Sequence, residues 1–481
     1  MYQDLRDWLE QVEAIGELRR VSGAGLDDDI PAVTEIAEHA ISGPAVLFDA
    51  IPGYDPAYRI LVNPISSLNR TALMAGFPVG LSKRDYVRLW HEKLKDLRCL
   101  PPREVSDGPI LQNVRRDDEI DLTRLPAPIW HRDDGGRYIG TGDAVISRDP
   151  DSGRINVGTY RVSIVDAQHV YCYISPGKHG RINRDKYFAQ GQPCPLAISL
   201  GHDPLLLHAG AMSVPAPEYD WVGGIKGEPV EVIAGEVTGL PIPARAELVL
   251  EGEVSPTETG VEGPFGEWTG YYASAARAEY LVTVKRLYYR DDPINTATPP
   301  ARPPTGKHLA QNCIRAGLLR EEMRAAGAPD VQDVWMLEAG GGALWIAVSL
   351  KQRYPGHAQQ VGQLATFCHS GAYMGRVVVV VDEDIDVYDT AQVLWAIATR
   401  CDPERDLHVV PRTWSTPLDP IIPTARKGFN SRLIVDATRP WEWRDEFPGV
   451  VGLSREEIDA AMRKWGPLLF GTAPALSGSA V

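Results

Sequence analysis

Val261-Glu262-Gly263-Pro264-Phe265-Gly266-Glu267-Trp268-Thr269-Gly270-Tyr271 is the most informative stretch of this chain. Its glycines and proline do not suit a strand or helix interior, so it reads as a turn between two extended runs. Glu262 and Glu267 bracket the rigid Gly263-Pro264-Phe265-Gly266 segment, and such a turn can bring two carboxylates to one cavity. Carboxylates held in different surroundings can divide acid and base roles. Spacing alone favours the plainer alternative, a hairpin loop with two solvated glutamates.

Outward from this turn, from about Gly140 to Leu287, short β-rich runs dominate: Val157 to Val165, His169 to Ile174, Glu247 to Val254 and Tyr280 to Val284. Gly and Pro punctuate them, which predicts an antiparallel sheet or small barrel. A Pro-rich crossing, Thr298 to Pro304, leads to a helix over about His308 to Ala326. Beyond it strands and helices alternate: strands Val331 to Met336 and Ala343 to Val348, helix Ala358 to Ser370, strand Gly375 to Val381, helix Thr390 to Thr399. The β-branched residues of Gly375 to Val381 fill both faces, as in a central strand of an α/β domain. A last helix, Ser454 to Trp465, precedes a Gly/Ser/Ala tail expected to be flexible. At the other end, Leu5, Trp8, Leu9, Val12, Ile15 and Leu18 recur at helical spacing, with Gly16 weakening the helix end. Ala45 to Phe48 reads as a strand and Lys83 to Leu97 as a helix.

A second polar region is Asn156-Val157-Gly158-Thr159-Tyr160-Arg161, followed by Ser175-Pro176-Gly177-Lys178-His179. Asn156, a His and a carboxylate such as Glu218 could hold a divalent ion beside a phosphate. A lone His after a Pro-Gly turn is more often simply at the surface. His202 and His208 lie in apolar surroundings and read as packed. Gly340-Gly341-Gly342 fits neither phosphate-loop pattern. Asp382-Glu383-Asp384-Ile385-Asp386 lacks the Gly and terminal Glu of a calcium loop and reads as the polar end of a strand.

The length of 481 residues suggests two or three domains, and 44% hydrophobic with 23% charged residues is ordinary for a globular chain. A net charge of −15 without a basic patch argues against nucleic acid. No apolar run is long enough for a membrane helix, and the acidic, amphipathic start is unlike a leader, so a cytoplasmic location is expected. Six cysteines without a CxxC pair read as reduced thiols, mostly buried.

These stretches together resemble the UbiD-like decarboxylases over nearly the whole chain. Leu5-Arg6-Asp7-Trp8-Leu9 through Gly16-Glu17-Leu18 is similar to that family's opening helix. Leu125-Pro126 with Gly135-Gly136-Arg137-Tyr138-Ile139 is similar to the entry to its flavin domain. Gly263 to Tyr271 is the most specific match. Val380 to Asp386, Trp395-Ala396, Thr399-Arg400, Ser431-Arg432 and Asp436-Ala437-Thr438 resemble its C-terminal domain.

The resemblance implies an α/β protein with a central split β-barrel that binds flavin. It implies an N-terminal α/β portion (1–115), the flavin domain (116–305), a linker helix (306–327), a C-terminal α/β dimerisation domain (328–450), and a final helix with tail (451–481). A hinge fits the Pro-rich crossing. The implied cofactor is prenylated FMN, supplied by a flavin prenyltransferase and acting as an electron sink. Asn156, His179 and Glu218 match positions holding Mn²⁺ or Mg²⁺ at the flavin phosphate, with K⁺ as a further ion. Thr159, Tyr160, Arg161 and Lys178 match cofactor-lining positions. Arg161, Glu262 and Glu267 match a catalytic network: Arg161 with Glu262 orients the carboxylate, and Glu267 protonates the carbon that loses CO₂. Burial raises a Glu pKa and a nearby Arg opposes the rise, and the sequence does not decide between them at Glu267. The implied reaction is reversible, non-oxidative decarboxylation of an aromatic, heteroaromatic or α,β-unsaturated acid by a homodimer or larger homo-oligomer. Lys178, Trp268 and His308 favour a heteroaromatic or hydroxylated aromatic acid. Two rivals remain: an ordinary FMN-dependent oxidoreductase, and a non-catalytic subunit of a carboxylase assembly.

Overall fold

In a computed structural model, residues 1–470 are described apart from Ser213, Pro417 and 424–427. The chain forms two compact units, Met1–Gln311 and a second that begins at Asn312. Among the described residues no helix is long and apolar enough to cross a membrane.

The first unit opens on the expected helix, Leu5–Ala14, capped by the Asp4 carboxylate, which accepts from the Arg6 and Asp7 N–H groups. Its Leu5, Trp8, Leu9 and Val12 pack on Leu47 and Leu61 of a four-stranded sheet. The helical spacing overruns at its end. Gly16 takes a left-handed φ of 75°, and Leu18 is buried as the first residue of strand Leu18–Ser22. That sheet is completed by Ile294–Ala297, which runs parallel to Arg59–Val62, so residues from both ends of the first unit build it.

At the centre lies a nine-stranded sheet in which every pairing is antiparallel. Its path runs Arg137–Gly140, Arg161–Ile164, His169–Tyr173, Arg277–Tyr289, Leu248–Glu262, Cys194–Leu200, Ala144–Arg148 and Ile155–Gly158, with Asn113–Arg116 beside Arg277–Tyr289. Alternating Val145, Val162, Val170, Ile198, Leu250 and Val282 fill its inner face. Arg161 and Glu262 stand three strands apart along this path, a backbone separation of about 14 Å in a flat sheet. Their side chains nevertheless touch, so the sheet curls into a half-barrel around them. Three helices inside the β-rich region were not predicted: His179–Ala189, Pro204–Ala211 and Glu218–Lys226.

The second unit is a mixed five-stranded sheet with Val377–Asp382 in the middle, every residue buried, as its β-branched run predicts. Leu407–Trp414 and Phe429–Ala437 form an edge hairpin that periodicity did not reveal. The acidic run closes the central strand as expected, with Asp382 and Asp384 paired to Arg400 and Arg439. The last helix runs Arg455–Phe470, and the tail expected to be flexible lies outside the described residues. Cys172, Cys194 and Cys313 are buried, Cys99 is exposed, and none of the six forms a disulfide.

Candidate active site

Glu262 is the last residue of its strand and stands directly opposite Arg277, the first residue of the next. The loop between them, which carries the opening motif, docks on the start of strand Arg137–Gly140. The Gly135 N–H donates to the Pro264 carbonyl at 2.8 Å, and a Cβ on Gly135 would lie 2.0 Å from the Gly263 carbonyl oxygen. Only glycine admits that approach. Phe265 is buried with its ring centroid 3.9 Å from that of Tyr138. Glu267 then sits in a tight turn, its N–H donating to the Tyr271 carbonyl and its carbonyl accepting from Gly270.

The two glutamates are not solvated. Arg161 donates from Nε and Nη2 to the two oxygens of Glu262, both at 2.8 Å, and from Nη1 to Glu267 at 3.3 Å. The Tyr138 hydroxyl adds a third donor to Glu262 at 2.9 Å. The Arg161–Glu262 pair is almost completely buried, with side-chain exposures of 7% and 1%. Burial alone would weaken the Arg161 charge, but Glu262 outweighs it and the guanidinium pKa rises. Burial also dominates at Glu267: it lifts the carboxyl to about 7, Arg161 and Arg277 pull it down, and Glu262 adds to the rise. One carboxylate is thus saturated with donors, while the other can hold a proton near neutrality.

Behind Arg161, its segment is held on several sides. Thr159 donates from N–H to the Gly210 carbonyl and from its hydroxyl to the Asp143 carbonyl, and the Tyr160 N–H donates to the buried Asp143 carboxylate. A Cβ on Gly158 would lie 2.4 Å from the Tyr160 hydroxyl, and one on Gly180 would lie 3.0 Å from the same ring. Glu218, first residue of its helix, accepts from the Val157 N–H at 3.1 Å, which ties it to the strand bearing Asn156. Asn156 is buried, with its side chain beside the Tyr160 hydroxyl. Lys178 and His179 are exposed, at the cap and first position of helix His179–Ala189, so the surface reading of His179 holds for exposure. Trp268 meets His308 edge-on with centroids 6.1 Å apart. His202 and His208 are buried as expected, and burial drops both to about 4.

Tyr138, Asp143, Tyr173 and Arg277 contribute to this site without having been singled out for it. Tyr173 stands directly opposite Arg161, whose guanidinium lies 4.3 Å from its ring centroid. Strand alternation gives Tyr173 a face, but only the pairing register puts that face beside Arg161.

Fold and site together define an α/β protein whose half-barrel sheet holds a buried arginine–glutamate cluster. The chain belongs to the UbiD family. Family models described as the N-terminal, Rift-related and C-terminal domains of 3-octaprenyl-4-hydroxybenzoate carboxy-lyase match residues 9–90, 103–303 and 308–437. The chain is 30% identical to a pyrrole-2-carboxylic acid decarboxylase of Pseudomonas aeruginosa, over 98% of this chain and 99% of that one. It superposes on the open form of vanillic acid decarboxylase from Sedimentibacter hydroxybenzoicus with a TM-score of 0.85 at 30% identity, over 96% and 99% of the two chains. An evolved dimeric form of the UbiD-class enzyme HmfF from Pelotomaculum thermopropionicum, in complex with prFMN, gives a TM-score of 0.80 at 26% identity, over 96% of this chain and all 100% of that one.

Proposed function

We propose that this protein is a prenylated-FMN-dependent carboxy-lyase that reversibly decarboxylates an aromatic or heteroaromatic acid in the cytoplasm as a homodimer. The observation that carries this reading is the buried Arg161–Glu262 pair with Glu267 beside it, protonated up to about pH 7. A fixed cation and a proton-holding carboxyl are what a carboxylate-for-proton exchange needs from the protein.

In this reading the curled sheet is the split barrel that receives the flavin within 116–305. The 1–115 portion covers one end, 306–327 is the linker helix, 328–450 dimerises, and 451–481 follows. Prenylated FMN, supplied by a flavin prenyltransferase, provides the electron sink that an aromatic ring lacks. The chemistry of the donors suits a divalent ion at its phosphate: the Asn156 side-chain carbonyl, the Glu218 carboxylate tied to the same strand, and His179 at a helix start. These three would hold Mn²⁺ or Mg²⁺, with K⁺ as a further ion, and the first-turn N–H groups after Lys178 suit a phosphate. Thr159, Tyr160, Arg161 and Lys178 would line the cofactor.

Arg161, fixed by Glu262, orients the substrate carboxylate, and Glu267 delivers its proton to the carbon from which CO₂ departs. In the carboxylation direction the same carboxylate removes that proton. Water is kept out by Phe265 and by the docking of the loop on Gly135. The relatives named above act on pyrrole-2-carboxylic and vanillic acids, which makes heteroaromatic and hydroxylated aromatic acids the first panel to test. Glu267→Gln tests the assignment. It should retain flavin, lose about 10²- to 10⁴-fold in rate, and stop exchanging the product's ring hydrogen with D₂O. Parent-like turnover and exchange with flavin bound would move proton transfer to another group.

A further inference from the structure

Unlike Arg161, Arg277 forms no salt bridge among the described residues. Its Nη1 donates to the Tyr173 hydroxyl at 2.5 Å and its Nη2 to Ser274, both neutral acceptors. Its Nε is buried without a partner. Among the described residues it makes no ion pair, whereas Arg161 is gripped at two nitrogens by Glu262. Both guanidiniums lie on the one ring of Tyr173, Arg161 at 4.3 Å and Arg277 at 4.2 Å from its centroid. The backbone before Arg277 also borders the signature loop, since a Cβ on Gly263 would lie 3.7 Å from the Ala276 Cα and 3.4 Å from Nη2 of Arg161.

A half-buried cation that lacks a salt bridge costs free energy that an anion would offset. Arg161 has given Nε and one Nη2 hydrogen to Glu262 and turns Nη1 to Glu267, so only part of its donor set is left for an incoming carboxylate. We infer that Arg277 is the anion-recognising residue of the pocket: it draws in and holds the carboxylate of the ring acid, completing beside Tyr173 what Arg161 offers in part. This rests on the decarboxylase reading above and assigns a substrate-binding role to a residue outside the Arg161–Glu262–Glu267 network. It has a further consequence. The charged groups facing Glu267 are Arg161, Arg277 and Glu262, and a substrate anion held at Arg277 would offset that arginine's pull and keep the proton on Glu267, where donation requires it.

The test is calorimetric binding to the full-length protein loaded with unmodified FMN, which on the reading above does not turn over. Pyrrole-2-carboxylate and neutral pyrrole are the probes. The parent should bind the acid more tightly than pyrrole. Arg277→Gln should weaken acid binding by about 10- to 100-fold, the range of a hydrogen bond to a charged group, and leave pyrrole binding and flavin content unchanged. Arg277→Lys should recover part of the loss, and Arg277→Met, which keeps a stem on Tyr173, serves if Arg277→Gln does not fold. Acid binding equal to the parent's, an equal loss for acid and pyrrole, or a parent without preference for the acid would each overturn the inference. Arg277-dependent acid binding in a prenylated-FMN protein that decarboxylates nothing would instead sink the functional reading alone.

Discussion

Glu262 and Glu267 carry the same side chain five positions apart, and their surroundings alone separate them. Glu262 accepts three hydrogen bonds from Arg161 and Tyr138, whereas Glu267 has one longer contact and is mostly shielded from solvent. If protonated Glu267 is the reacting form, its population falls as pH rises through about 7, while the acid substrate stays ionised throughout. Decarboxylation should therefore decline on the alkaline side by about tenfold per pH unit beyond that point, and a pH–rate profile flat from 6 to 9 would contradict it. Glu262→Gln leaves Arg161 buried without its charge partner. Breaking such a pair costs about 3–5 kcal/mol, so a lowered denaturation midpoint should accompany lost turnover. The histidines give a separate pH signature. His202 and His208 are neutral in the fold and titrate at about 4, whereas an unfolded histidine titrates near 6.5, so the unfolded state binds more protons below that value. Stability should fall as pH drops from about 6.5 to 4, by roughly 3 kcal/mol per histidine, and His208→Leu should flatten that slope in thermal melts.

At the scale of elements, legibility followed how local the signal was. The buried run Val377–Asp382 announced itself because β-branched residues on both faces admit few other structures. The first helix was legible from its apolar stripe, but not its end, because Leu18 keeps helical spacing while belonging to a strand. The helix opening at His179 was missed because Pro176 and Gly177 read as a turn and the residues after it carry no strong apolar stripe. In the site, the polar loop was visible and its burial was not, since burial comes from Gly135, Tyr138 and Arg161, all more than a hundred residues earlier. Gly135→Ala should therefore displace the loop and cut turnover while the sheet stays folded, as near- and far-ultraviolet circular dichroism would show. The assigned ion site is tested by flavin content. His179→Ala and Glu218→Ala should purify with less flavin, because the ion neutralises a phosphate that an acidic chain repels. Full flavin occupancy in the chelated His179→Ala protein would contradict it.

For the whole molecule, membership of the UbiD family rests on matches to all three of its domain models, and the sequence pattern already pointed there through one loop and several shorter stretches. What no local pattern supplied was the curl of the central sheet, which depends on pairings between residues far apart in the chain. The second unit leaves Val409, Trp414 and Phe429 exposed on its edge hairpin, with Trp414 and Phe429 cross-strand partners. Light scattering should give twice the 52.8 kDa chain mass, and Phe429→Asp should shift the protein toward the monomer if this edge is the dimer contact. The central claim, that these residues run decarboxylation on a prenylated flavin, is tested most directly by CO₂ release from pyrrole-2-carboxylate and vanillate. Two preparations of the same chain should be compared, one expressed with a flavin prenyltransferase and one without. The account predicts release from at least one of the two acids by the first preparation and little or none by the second. Equal release by protein carrying only unmodified FMN, or none from the prenylated preparation on either acid, would contradict it.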